Sequence, residues 1–100
     1  MKYLVGFRKE ALQDILEAIA WYEKSSEGLG DEFFIAIENE KHFMEQNPYH
    51  YEDKYKGIRK AIIKRFPYIL YYKIESKSDV LVYAVLHMKR SSKLWKGRMK

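Results

Sequence analysis

The chain has 100 residues, 47% hydrophobic and 33% charged, with five glycines, two prolines and no cysteine. That fits one globular domain over residues 1–100 with a single modest core, and is too short for two; the missing thiols exclude a disulfide framework, a thiolate nucleophile and a cysteine zinc site. The net charge of +5 hides a division: up to Asp53 five basic residues face twelve acidic ones, a net of −7, whereas from Lys54 fourteen basic residues face only Glu75 and Asp79, a net of +12. A segregated positive segment attracts phosphate or an acidic polypeptide better than the same charge evenly spread, so binding residues are sought in 54–100. No apolar run approaches spanning length, and Arg8 and Lys9 come too early for the apolar region of a signal peptide. A soluble cytoplasmic protein with no membrane association is expected.

Tyr3 to Phe7 is a short aromatic and β-branched run that predicts an opening strand. From Lys9 the apolar residues Leu12, Ile15, Leu16, Ile19 and Tyr22 recur at spacings of three and four, with Glu10, Asp14 and Glu17 opposite, which predicts an amphipathic helix with an acidic outer face. Gly28-Leu29-Gly30 breaks the pattern where a tight turn needs positive φ, and Asp31 and Glu32 suit a new first turn. The second helix turns Phe33, Ala36, Ile37 and Met44 inward and ends at Asn47-Pro48, giving an antiparallel helical hairpin. A polar, tyrosine-rich link (Tyr49, Tyr51, Tyr55) and Gly57 lead to a period of two over Ile58 to Arg65. Strands Tyr68 to Ile74 and Val80 to His87 follow, on either side of the Glu75 to Asp79 connector. The fold class is therefore α+β: an N-terminal strand, the helical hairpin, then a three-stranded antiparallel meander with the helices on one sheet face.

Arg59, Lys60, Lys64, Arg65, Lys89, Arg90, Lys93, Lys96 and Arg98 converge on one face if the last strand lies near the first of the meander. Phosphate is the ligand such a cluster suits. Tyr68, Tyr71, Tyr72 and Tyr83 either stack on unpaired bases or fill the core. His87 closes the last strand, as a general acid or base or as a structural hydrogen-bonding group. His42 and His50 show no metal-ligand spacing, so no metal is expected, and neither a glycine-rich phosphate loop nor a nucleophile elbow is present. No cofactor is expected. Trp21-Tyr22-Glu23 reads as the end of a packed helix.

Taken in order, Trp21-Tyr22-Glu23, Gly28-Leu29-Gly30, Asn47-Pro48, Ile58-Arg59-Lys60 through Lys64-Arg65-Phe66-Pro67-Tyr68, and Ala84-Val85-Leu86-His87 followed by Arg90 and Trp95 resemble the ParE/RelE toxin superfamily over nearly the whole chain. The resemblance implies the toxin of a bacterial type II toxin–antitoxin (plasmid stabilisation) module, held in a hetero-oligomer by a cognate antitoxin. RelE-like members cut messenger RNA in the ribosomal A site, with an Arg early in the second meander strand and a Tyr or His in the tail. Here Tyr68-Ile69 occupies the strand position, Arg90 fits the basic tail position, and Trp95 has an indole that exchanges no proton at useful pH. Were the chain an mRNA interferase, its catalytic set would be Arg59, Lys64, Arg65, His87 and Arg90. ParE-like members poison DNA gyrase by protein binding, and Val85-Leu86-His87 leans that way; Lys60, Lys89, Lys93, Trp95, Lys96 and Arg98 are then the expected target- or antitoxin-binding residues. A ParE-like gyrase poison is the leading expectation, an mRNA interferase the second, and a non-toxic basic binding module or decayed toxin the third.

Overall fold

A computed structural model describes residues 2–90 and 97–98. Strand β1 (Leu4–Phe7) leads into helices α1 (Lys9–Ser25) and α2 (Leu29–Gln46), followed by strands β2 (Asp53–Tyr55), β3 (Ile58–Ile62), β4 (Tyr68–Ile74) and β5 (Asp79–His87). They form one sheet in the order β1-β5-β4-β3-β2. The expected meander β3-β4-β5 is antiparallel, whereas β1 lies parallel to β5, so the sheet is mixed. Parallel pairing is open to β1 because a long crossover separates it from β5.

Helix α1 buries Ala11, Ile15 and Ala18. Leu12 and Leu16, expected inward, are 49% and 66% exposed. The small alanines let the helix lie close to the sheet, and the leucines, each one position further round, are carried about 100° away from that contact. Asp14, expected on the outer face, is instead turned toward β5. Helix α2 buries Phe33, Ile37 and Met44 as the spacing predicts.

The turn between the helices is set by two glycines and one carboxylate. Gly28 adopts φ 86°, and its N–H and that of Gly30 donate to the Glu23 carboxylate at 2.9 and 3.0 Å. Glu23, reaching over from α1, thus supplies the N-terminal acceptor that α2 lacks at its own cap position. Gly30 lies within α2, and a Cβ there would stand 2.8 Å from the Ile19 carbonyl oxygen.

Two stretches depart from expectation. Strand β3 ends at Ile62, and Lys64 and Arg65 lie in the turn before β4, where Arg65 takes φ 74°. This turn drives Phe66 into the core, where it meets Phe33 (5.1 Å between centroids) and Tyr22 (4.9 Å). The link expected to be irregular contains β2, joined to β3 through Lys56 and Gly57, both at positive φ. That two-residue left-handed pair is the hairpin geometry matching strand twist.

The rest of the link is tied down by tyrosines. The Tyr72 hydroxyl donates to the Pro48 carbonyl at 2.7 Å and Tyr51 to Glu40 at 3.2 Å, while the Arg59 guanidinium donates to the Tyr51 carbonyl. Burial is the main force pushing both tyrosine hydroxyls up to about 12. It also raises the Glu40 carboxyl, against the opposing effects of the Tyr51 hydrogen bond, His50 and Lys64.

Two outcomes are expected. Gly30→Ala should lower stability by about 1–3 kcal/mol in urea unfolding, because the Ile19 carbonyl cannot give way without separating the helices. Glu40 holds its proton more tightly folded than unfolded, so its contribution favours folding at low pH and is lost as pH rises from 4.5 through its raised folded value. Glu40→Gln should therefore equal the parent below pH 4.5 and exceed it in unfolding midpoint at neutral pH.

Candidate functional site

The register of β5 builds one wall of a cleft. Tyr71 pairs with Ala84 and Tyr72 with Val82, leaving Tyr83 as an extra residue in a bulge. The bulge shifts the alternation: Val80 and Val82 face the helices before it, and Val85 does so after it, while Ala84 and Leu86 join Ile58 and Tyr71 in a second buried cluster across the sheet. His87 thus lands on the helix side, its ring edge-on to Tyr68 at 5.3 Å.

The opposite wall is α1. Asp14, Glu17, Ala18 and Trp21 follow at intervals of three, one and three, on one helical face, and with Tyr68, Val85, Leu86, His87, Lys89 and Arg90 they line a cleft of about 470 Å³. Trp21, expected to be packed, is 66% exposed here. Asp14 accepts the Val85 N–H at 3.0 Å and an ion-paired hydrogen bond from Arg98, their side chains only 12% and 22% exposed. His87 Nδ1 accepts the Lys89 N–H at 3.1 Å, which leaves Nε2 as the donor of a neutral ring. Burial raises the Tyr68 hydroxyl above its ordinary value, with Asp14 and Glu17 adding to the effect and Arg90 opposing it. The cleft thus presents hydrogen-bond donors, the carboxylates of Asp14 and Glu17 and the basic groups of Lys89 and Arg90, with an exposed indole at its lip.

The basic residues singled out by sequence are dispersed. Strand β4 lies between β3 and β5, so the condition for their convergence is not met. His87, Lys89 and Arg90 line the cleft. Arg59 is held by the Tyr51 carbonyl with its guanidinium 5.0 Å from the Tyr49 ring, and the Lys60 ammonium lies 5.8 Å from the Tyr71 ring. Lys64 and Arg65 border a separate groove of about 590 Å³ beside α2, where Arg65 pairs with Glu32 at 2.6 Å. Arg98 sits on Asp14, and Lys93, Trp95 and Lys96 lie outside the described residues. Of the four tyrosines, Tyr71 and Tyr72 are wholly buried and present no face for stacking on bases, whereas Tyr68 and Tyr83 are partly exposed.

Sequence reasoning missed Asp14, Glu17, Ala18 and Trp21. Their spacing was a readable signal, but the leucine stripe beside it was the stronger one and drew the helix axis the wrong way round.

Comparison with curated proteins found no match. Among solved structures, a chain described as "Chromosomal ParDE TA system from P. aeruginosa" superposes with a TM-score of 0.64 at 10% identity, covering 86% of this chain and 96% of that one; the likeness is one of fold. Residues 5–92 match the family described as the ParE toxin of the type II toxin–antitoxin system parDE. With most of its length matched, the chain belongs to the ParE toxin family.

Proposed function

We propose that this protein is the toxin of a type II toxin–antitoxin pair that arrests growth in the cytoplasm by binding a protein target, DNA gyrase, and is neutralised by its antitoxin in a hetero-oligomer. The composition of the cleft beside β5 carries this reading. A ribonuclease site gathers cations around the scissile phosphate and flanks it with a proton donor and acceptor. Here Glu17 stands in the cleft and repels a phosphate, Asp14 already holds Arg98, Arg59 and Arg65 are engaged elsewhere, and Lys64 borders the separate groove beside α2. An exposed Trp21 beside Val85 and Leu86, rimmed by mixed charges, suits a polypeptide: large aromatic anchors inside polar rims dominate protein interfaces.

One observation favours the ribonuclease reading: His87 and Arg90 share the cleft, a minimal pairing of a proton carrier with a phosphate ligand. Inducing the chain alone is expected to arrest growth with trapped gyrase–DNA cleavage complexes and intact transcripts, and co-expression of the adjacent reading frame to restore growth. Trp21→Ala should fold normally yet weaken target binding by roughly 2 kcal/mol, about thirtyfold in Kd. Ribosome-dependent transcript cuts that vanish in Arg90→Ala and His87→Ala would instead establish an mRNA interferase. Absence of any arrest would leave a non-toxic binding module.

A further inference from the structure

Strand β1 forms one outer edge of the sheet, and its open side is unguarded. Leu4-Val5-Gly6-Phe7 holds no charge and no proline and pairs with β5 without a bulge, whereas edge strands are commonly protected by one of these. Leu4 and Arg8 donate their N–H groups to β5, at the Ser78 and Val82 carbonyls, so by alternation the N–H and C=O groups of Val5 and Phe7 point to the open side. Tyr3 is directed the same way, and its N–H is taken by the Glu45 carbonyl at 2.7 Å. Among the described residues no strand lies beyond Val5 and Phe7. The side chains of Val5 and Phe7 pack on the core, which sends those of Leu4 and Gly6 to the outer face, where Leu4 is 73% exposed, more than any other large apolar residue described. Nothing within one copy calls for glycine at position 6: its φ is not left-handed, and a Cβ there would meet only the Leu81 Cδ1 at an ordinary 3.8 Å.

We infer that a second copy of this chain pairs here, β1 against β1, antiparallel about a two-fold axis at Gly6, so that the two sheets become one. An isologous contact needs donors and acceptors placed symmetrically about one point with no charge upon it, and Val5 and Phe7 on either side of Gly6 meet that need. Val5 of each copy then faces Phe7 of the other, and each facing pair exchanges two backbone hydrogen bonds. Moving the axis to Val5 would call on the Tyr3 N–H, already bonded, and moving it to Phe7 would call on Lys9, already helical. Gly6 meets Gly6 as a non-hydrogen-bonded pair, with Cα atoms about 4.5 Å apart. Leu4 of each copy lies diagonally across from Gly6 of the other, over the space a side chain would fill, which accounts for both residues. Charge outside the strand agrees with this register. Lys9 of one copy falls opposite Tyr3 of the other, beside the C-terminal turn of α2. That turn has no lysine or arginine of its own to meet the negative end of the helix, and Glu45 adds a carboxylate whose nearest cation is Lys2 at 3.5 Å. The pairing goes beyond the toxin reading and does not depend on it.

The test is made on the purified full chain. Light scattering should give a mass that rises with concentration from 12.1 kDa toward twice that value. The Val5 and Phe7 amides should exchange about tenfold more slowly where the dimer dominates. Because the chain has no cysteine, Gly6→Cys places a single thiol, on the axis, and at a Cα separation of about 4.5 Å the two copies should cross-link under mild oxidation. Leu4→Cys is the control: Leu4 pairs opposite Arg8, which sets its two copies roughly 13 Å apart along the strands, too far to bridge. Gly6→Asp, whose Cβ a single copy accommodates, should keep the fold by circular dichroism and weaken the dimer by about tenfold or more, since it sets two carboxylates face to face. A mass fixed at 12.1 kDa up to about 1 mM protein overturns the inference. So does cross-linking of Gly6→Cys no faster than that of Leu4→Cys, or a dimer that Gly6→Asp leaves intact, since either places the contact elsewhere. Should a Gly6 variant fail to fold, the unaltered chain decides: Val5 and Phe7 exchange that stays constant while the mass doubles overturns the pairing.

Discussion

Four rings hold the helical hairpin to the sheet. Tyr22 on α1, Phe33 on α2, Phe66 in the turn before β4 and Tyr68 at its start form a continuous cluster with centroids 4.9 to 6.0 Å apart, mostly edge-to-face or tilted. Each such pair adds roughly 0.5–1.5 kcal/mol beyond simple burial, and deleting a ring of this size from a core costs about 3–5 kcal/mol. Every feature of the cleft hangs from this cluster. Tyr68 is both a member and a wall of the cleft, and it orients His87. Tyr22 joins the buried Ala11 and Ala18 in setting the rotation of α1, which leaves Trp21, its neighbour in sequence, exposed. The left-handed turn at Arg65 is the local cost of bringing Phe66 into the cluster; that conformation is disfavoured for a residue with a side chain and is maintained by the packing it permits.

A second constraint is the unequal length of β1 and β5. An open edge of unpaired amides invites indiscriminate pairing, and proteins guard such edges with charge, twist and cover. Here the Tyr83 bulge bends β5, α1 crosses beside it and Asp14 occupies one amide. Asp14 lies almost out of solvent, which would be costly for an isolated carboxylate; the Val85 amide and the Arg98 guanidinium make that burial tolerable. The same residue guards the edge and partly fills the cleft, so stability and recognition meet at one side chain.

The opposition between an acidic first half and a basic second half is redistributed by folding. Arg65 reaches Glu32 on α2 and Arg98 reaches Asp14 on α1, each pairing a residue of the basic segment with one of the acidic segment. Arg59 is spent on the Tyr51 carbonyl and the Tyr49 ring. The exposed Arg65 pair adds little to stability, since solvent screens it. Its effect is local: it sets an acid beside a surface cation that the linear charge pattern promised to a polyanion. Lys89 and Arg90 are left as the basic pair of the cleft.

The elements and their order were legible because they rest on local chemistry. The α2 spacing, the Gly28 turn, the Asn47-Pro48 stop and the β-branched and aromatic runs of β4 and β5 all appear where side-chain period and backbone preference place them. Lys56-Gly57 held the signature of the β2–β3 hairpin, too short to read within a polar link. The site was not legible to the same degree. Which side of α1 faces the sheet depends on how closely two alanines let the helix approach, and periodicity favoured the larger leucines. Which side of β5 His87 occupies depends on a bulge, and the run from Val80 to His87 is apolar or aromatic on both sides until its last residue, so nothing in it marks the step. Local chemistry along the chain set the elements, their order and the amino acids available for recognition. The parallel seat of β1, the rotation of α1 and the one-residue shift that brings His87, Tyr68 and Asp14 to the same cleft came from packing between elements. Each of these is settled by what lies across the interface, which local sequence does not encode.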